Sequence, residues 1–110
     1  MLDQFIESRD TVRQLRSGVL GAHLDSFAER LATCGYAPAT GRSHLTLLGH
    51  LDQWMARRRR GLGELNDELV DKFVQDRIRL GKLQRGDLVA VHQFLTHLRA
   101  HGVIPSPAPV

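Results

Sequence analysis

The chain has little of most residues and runs that would announce a chemistry. Its one cysteine, Cys34, excludes an internal disulfide and any cysteine-rich zinc site. No apolar run approaches the roughly 18 residues needed to cross a bilayer. The start at Met1, Leu2, Asp3 and Gln4 has neither the basic opening nor the apolar stretch of a signal peptide. From these absences the chain is expected to stay in the cytoplasm, with no membrane partner. Strict alternation of apolar and polar residues over strand length is missing, and the few Val and Ile are scattered, which leaves helix as the periodic signal. Phosphate-cradling glycine loops are missing too, since Arg60, Gly61, Leu62 and Gly63 carry two glycines without the rest of such a motif. None of the serines, nor Cys34 nor Tyr36, stands in a Gly-flanked elbow or beside a recognisable base. An enzyme complete in these residues is not expected.

What remains is a chain of 110 residues, 42% hydrophobic and 25% charged, with 10 Gly and 4 Pro, enough for one compact all-α domain with a small core. Leu20, Leu24, Phe27, Ala28 and Leu31 predict a first helix over about 19–34, closed by Gly35. Pro38 opens a second, whose apolar stripe is His44, Leu47, Leu48, Leu51, Trp54 and Met55 and which runs out in Arg57, Arg58, Arg59, Arg60 and Gly61. His44, on that stripe, reads as a hydrogen-bonded core histidine. Gly41 and Gly49 each weaken this helix by about 0.5–1 kcal/mol unless close packing explains them. Asn66 caps a third helix over about 66–80, and a fourth starts at Asp87 or its neighbour and ends near His101. Residues 1–18 read as an amino-terminal arm, flexible or helical, residues 19–104 as the helical domain, and residues 105–110 as a Pro-rich linker.

Charge is distributed in blocks. Residues 39–60 hold five Arg against Asp52, residues 61–76 hold Lys72 against five acids, and residues 77–110 hold five basic residues against Asp87. Thirteen of the fifteen basic residues are Arg, whose planar fork suits phosphate oxygens and guanine edges. The run from Arg57 to Arg60 taken alone reads equally well as a solvated helix end. Opposite the apolar stripe of the second helix, however, Arg42, Ser43, Thr46, Gly49, His50 and Gln53 form a polar face nearly free of acid. The fourth helix offers a similar face in Arg85, Val89, His92, Gln93 and Thr96. Short hydrogen-bonding groups beside long cations are what a helix needs to enter a DNA major groove. His97 and His101 stand four apart on one helical face, but without a HExxH frame or a neighbouring acid no metal site or cofactor is expected.

Several of these features occur in a familiar order: the first helix closing at Gly35 and Tyr36; the entry Ala37, Pro38, Ala39, Thr40; the helix bearing His44, Leu48, Leu51 and Trp54; and the helix from Leu88 to Leu98 followed by Gly102, Val103, Ile104 and Pro105. Over about residues 20–107 this pattern resembles the amino-terminal core-binding domain of tyrosine recombinases, the phage-integrase family. The resemblance implies a four-helix, SAM-like bundle that forms half of a clamp around double-stranded DNA, with the second and fourth helices against the major groove. The positions it carries over are Arg42, Ser43, Thr46 and His50 on the second helix and Arg85, His92 and Gln93 on the fourth; Thr40, Gln53 and the run Arg57, Arg58, Arg59 and Arg60 complete the residues expected to bind DNA. Two positions depart from the pattern: His44 stands where the family usually has a core Tyr, and His92 where it often has Arg. The family's strand cleavage by a Tyr nucleophile is implied to belong to a carboxy-terminal catalytic domain beyond the Pro-rich linker. Tyr36 does not match that nucleophile, so this chain alone is expected neither to cut nor to join DNA. Self-association through the first helix or the arm is expected when protomers assemble on DNA. The rival reading is a SAM-type protein–protein interaction module that does not bind DNA, in which the acidic third helix of one copy meets the basic second helix of another. A small metal-dependent enzyme survives only if His97 and His101 bind a metal.

Overall fold

A computed structural model describes Leu2 and residues 5–104; the Pro-rich linker expected at 105–110 lies outside the described residues. Five helices follow one another: α1 (Arg9–Ser17), α2 (Gly21–Thr33), α3 (Pro38–Arg57), α4 (Asp67–Arg79) and α5 (Asp87–Ala100), with a short 3-10 turn at Leu62–Glu64. Among the described residues there is no strand. The fold is all-α, as the periodicity requires, and α2 to α5 match the four expected helices to within a few residues.

Local chemistry explains the ends. The Ser8 side chain accepts the N–H of Thr11 to open α1, and Asn66 accepts that of Leu69 to open α4. Pro38 occupies the first turn of α3, where its missing N–H costs nothing. At the end of α2, Gly35 adopts φ 79°, and the N–H groups of Gly35 and Tyr36 return to the carbonyls of Ala32 and Leu31. α3 ends earlier than Gly61: the left-handed residue is Arg59, at φ 56°.

The core gathers Leu24, Phe27 and Leu31 from α2, Leu48, Leu51 and Met55 from α3, Val70 and Phe73 from α4, and Phe94 and Leu98 from α5. Phe27 meets Phe94 edge-on at 5.3 Å, and Trp54 meets Phe73 at 5.6 Å. Burying one such side chain contributes about 1.5–3 kcal/mol, so these rows hold the bundle together. Arg99 bonds Asp67 at 2.9 Å and ties the end of α5 to the start of α4.

The described residues of the arm are part of this packing. α1 lies against α2, and Leu2, Phe5, Ile6, Val12 and Leu15 are buried. Phe5 and Leu15 rest on a second face of α3, at Gly41 and Gly49. A Cβ on Gly41 would overlap the Phe5 ring, and one on Gly49 would come within 2.6 Å of Leu15. Close packing therefore accounts for both helix glycines. It also removes Gly49 from the polar face where the sequence pattern put it.

Candidate nucleic-acid interface

Along α3, Arg42, Thr46, His50, Gln53 and Arg57 recur at three- and four-residue steps and are exposed, as are Thr40 and Ser43. Because the opposite faces of α3 are buried against the bundle and the arm, this stripe is the only one left to solvent over the middle of the helix.

What stands across from the stripe is not visible in its own sequence. α4 ends beside the second half of α3, and Gly81, at φ 69°, turns the chain so that Lys82 and Gln84 come up next to it. The result is a groove of about 820 Å³ whose walls include His50, Gln53 and Arg57 from α3 and Arg77, Arg79, Lys82 and Gln84 from α4 and the loop after it. A smaller hollow of about 180 Å³ continues it toward Arg42, Ser43 and Thr46, sharing His50, Arg77 and Gln84 and reaching Asp87 at the start of α5. The α3 residues expected from the sequence are thus brought together, and Arg77, Arg79, Lys82 and Gln84 join them. The positive charge of residues 77–110 is the sequence signal for Arg77, Arg79 and Lys82, and Gln84 has none.

The four-Arg run divides by function. Arg58 lies 4.4 Å over the Trp54 ring and donates to Asp76 at 2.6 Å. Asp76 also receives Arg79 at 2.7 Å and the Trp54 indole N–H at 2.9 Å. The Trp54 bond, followed by the Arg58 bond, holds the Asp76 carboxyl below its ordinary value. Arg60 pairs with Glu64 at 3.6 Å. Arg57 and Arg59 have no acidic partner among the described residues. Arg42 is exposed, and its Nε donates to the Phe5 carbonyl at 3.2 Å, which links the arm to the polar face. Burial, then Arg77 and Lys82, lower the pKa of His50 from its ordinary value, with Asp87 opposing and Arg57 adding to them.

The α5 residues form a separate surface. His92 and Thr96 are exposed and line a hollow of about 240 Å³ together with Gln93, Tyr36, Cys34 and Arg30. Gln93 is half-buried and donates to the Tyr36 hydroxyl at 2.6 Å, so its amide is already engaged. Arg85 is exposed on the loop before α5 and lines neither surface.

His44 and His97 are buried in the bundle. His44 is buried against the Tyr36 ring, and its Nδ1 has no hydrogen-bond partner, unlike the satisfied core histidine the pattern suggested. Burial is also the main cause of its lowered pKa. His97 is 3% exposed, shares a hydrogen bond with the Ser26 hydroxyl at 2.8 Å, and lies 4.4 Å from the His101 ring. Burial, then His101, push its pKa down to about 4. Among the described residues no group of three or more His, Cys, Asp or Glu is placed to hold a metal ion, and no helix is long and apolar enough to cross a membrane.

No family model matches the sequence, and no solved structure matches it. Two proteins of Sinorhizobium fredii (strain NBRC 101917 / NGR234) that carry the provisional name integrase/recombinase are similar to it. One, y4rF, is 32% identical over 74 residues, 67% of this chain; the other, y4rA, is 25% identical over 100 residues, 91% of this chain. The matched parts span 17% and 24% of those two proteins. Across most of its length, the chain is thereby related to the integrase/recombinase family.

Proposed function

We propose that this chain is the core-binding part of a tyrosine-type site-specific recombinase, docking α3 and α5 on double-stranded DNA. The observation that carries this reading is the acid-poor stripe on α3 facing cations from α4 and its following loop across one continuous groove. In this arrangement Arg42, Arg57, Arg59 and Lys82 serve phosphate oxygens, while Ser43, Thr46 and Gln53 have the length and hydrogen-bonding groups to reach base edges. On the α5 side, His92 and Thr96 provide the exposed contacts and Arg85 a further cation. The reading assigns no strand-cleaving role to Tyr36, whose hydroxyl is held by Gln93. Self-association would use the outer side of the arm, where Ile6 and Val12 line an open groove with Arg9 and Arg13.

Fluorescence anisotropy against a mixed-sequence duplex of about 30 base pairs tests this. With about five cations on phosphates, log K falls with log salt at a slope of about −4 to −5. No binding at low salt, together with a mass that rises with protein concentration, would replace this reading with the protein-interaction module.

A further inference from the structure

Of the three residues that line both hollows of the α3 surface, His50, Arg77 and Gln84, His50 is the one whose side chain ordinarily titrates near neutral pH. We infer that His50 contacts a backbone phosphate in this groove as an imidazolium, so that docking on DNA takes up one proton. This inference rests on the DNA-docking reading above and adds a specific chemistry to it.

Arg57 approaches the His50 ring from its own helix, Arg77 from the end of α4, and Lys82 from the loop that Gly81 turns toward α3; Asp87, at the start of α5, opposes them, while Asp76 of α4, which lines the same hollow, is already paired with Arg58 and Arg79. Three cations against one carboxylate, on a ring that is partly desolvated, favour neutral imidazole in the free protein. Arg77 is held in place: its NH2 group donates to the Lys82 carbonyl at 3.4 Å, and its guanidinium lies 6.0 Å from the centre of the Phe73 ring. Both contacts favour the position beside His50.

A phosphate diester seated in the groove reverses the balance. It carries a full negative charge and neutralises the field of Arg57, Arg77 and Lys82, and it offers an acceptor that only a protonated or suitably oriented imidazole can serve. The proton comes from the buffer and ends on the imidazole; no bond in the DNA is made or broken. Binding and protonation are then linked, and affinity rises as pH falls through the interval between the free and bound values of His50. Histidine is the side chain able to do this close to neutral pH.

The test compares affinities for the same duplex at about pH 8 and about pH 6, at constant ionic strength, with the full chain. Binding is expected to tighten about three- to tenfold toward the lower pH, inside the limit of about a hundredfold that uptake of one proton over two pH units sets. His50→Gln brings the ratio close to one, whereas His101→Gln, on the far end of α5, leaves it as in the parent. Calorimetry in two buffers of different ionisation enthalpy should show proton uptake for the parent chain and not for His50→Gln. In the free protein Lys82→Gln should raise the NMR titration midpoint of His50 by removing one of its three cations. Binding that is tight but independent of pH, or a His50→Gln chain that keeps the pH response, overturns the inference and leaves DNA docking intact. Absence of binding at both pH values and low salt removes the docking reading, and the inference with it.

Discussion

The carboxylate of Asp52, in the middle of α3, accepts the backbone N–H of Leu20 at 3.4 Å and thereby caps a helix to which it does not belong. Leu20 and its neighbours offer no side-chain cap for α2, so a buried acid from another element supplies one. Asp52 is 5% exposed, and Gly18 clears the space it fills, since a Cβ there would overlap the carboxylate.

Burial raises the pKa of Asp52 above its ordinary value, with the bonds from Leu20 and Val19 opposing that rise. For an acid with a raised folded pKa, the stabilising contribution is present at low pH and is lost as pH rises through the folded value. At neutral pH Asp52 is thus retained for its hydrogen bonds and not for its charge. Asp52→Asn keeps an acceptor oxygen and removes the buried charge, so its urea midpoint should equal or exceed that of the parent at pH 7. Asp52→Ala strands the N–H groups and should cost about 1–2 kcal/mol. Equal losses for the two variants would refute the capping role.

Gly41 shows the same logic in apolar form. In a solvent-facing helix position, Gly→Ala gains about 0.5–1 kcal/mol. At Gly41 the added methyl meets the Phe5 ring, and overpacking costs about 1–3 kcal/mol. Gly41→Ala should therefore lower the melting temperature in the parent and raise it in a Phe5→Ala background. That sign reversal is the signature of direct contact between arm and α3; a stabilising Gly41→Ala in the parent would show that the arm does not rest there.

How much of this was legible follows from the kind of signal each element leaves. α2, α3, α4 and α5 each repeat Leu, Val or Phe at helical spacing, and Gly35, Gly81 and Gly102 mark ends, so their places could be read directly. The arm could not be read so easily: its five apolar residues are mixed with balanced Arg and acid, and the surface that receives it is marked by missing side chains at Gly41 and Gly49, which look like helix weaknesses. The candidate site divides in the same way. The polar stripe from Arg42 to Arg57 lies on one helix and is periodic, hence visible. Arg77, Lys82 and Gln84 enter the site because α4 ends next to α3, and Arg58, though it lines the same groove, is engaged by Trp54 and Asp76. Both are facts of tertiary geometry that one-dimensional spacing does not contain.

His97 sets an acid limit on stability. Its folded pKa is lowered to about 4 from 6.5, so its contribution is fully present above about pH 6.5 and is lost as pH falls toward 4. The full loss is on the order of 3 kcal/mol, taking 1.36 kcal/mol per unit. His97→Phe removes the titrating group from the contact with Phe27, at the expense of the Ser26 bond. Urea midpoints measured between about pH 7 and pH 4.5 should fall steeply for the parent and more gently for His97→Phe. Parallel profiles would mean that His97 does not titrate in this window.

Arg59 is where stability and docking pull apart. It holds the left-handed conformation, φ 56°, at the turn that closes α3, with its own N–H on the Ala56 carbonyl and that of Arg60 on Met55. A glycine would take this conformation without the strain of about 1 kcal/mol that an L side chain brings. Arg59→Gly should therefore raise the urea midpoint. It also deletes one of the two arginines of the run that have no acidic partner among the described residues, so affinity for DNA should fall for all sequences alike and the salt slope should lose about one unit. Arg58→Ala should do the reverse: it gives up the Trp54 stack and the Asp76 bond, lowering stability with little change in the salt slope. If the two variants behave alike in both measurements, the division of the run into docking and structural arginines is wrong; if they separate, the strained residue is one that a more stable chain would have replaced, kept for what it does outside the fold.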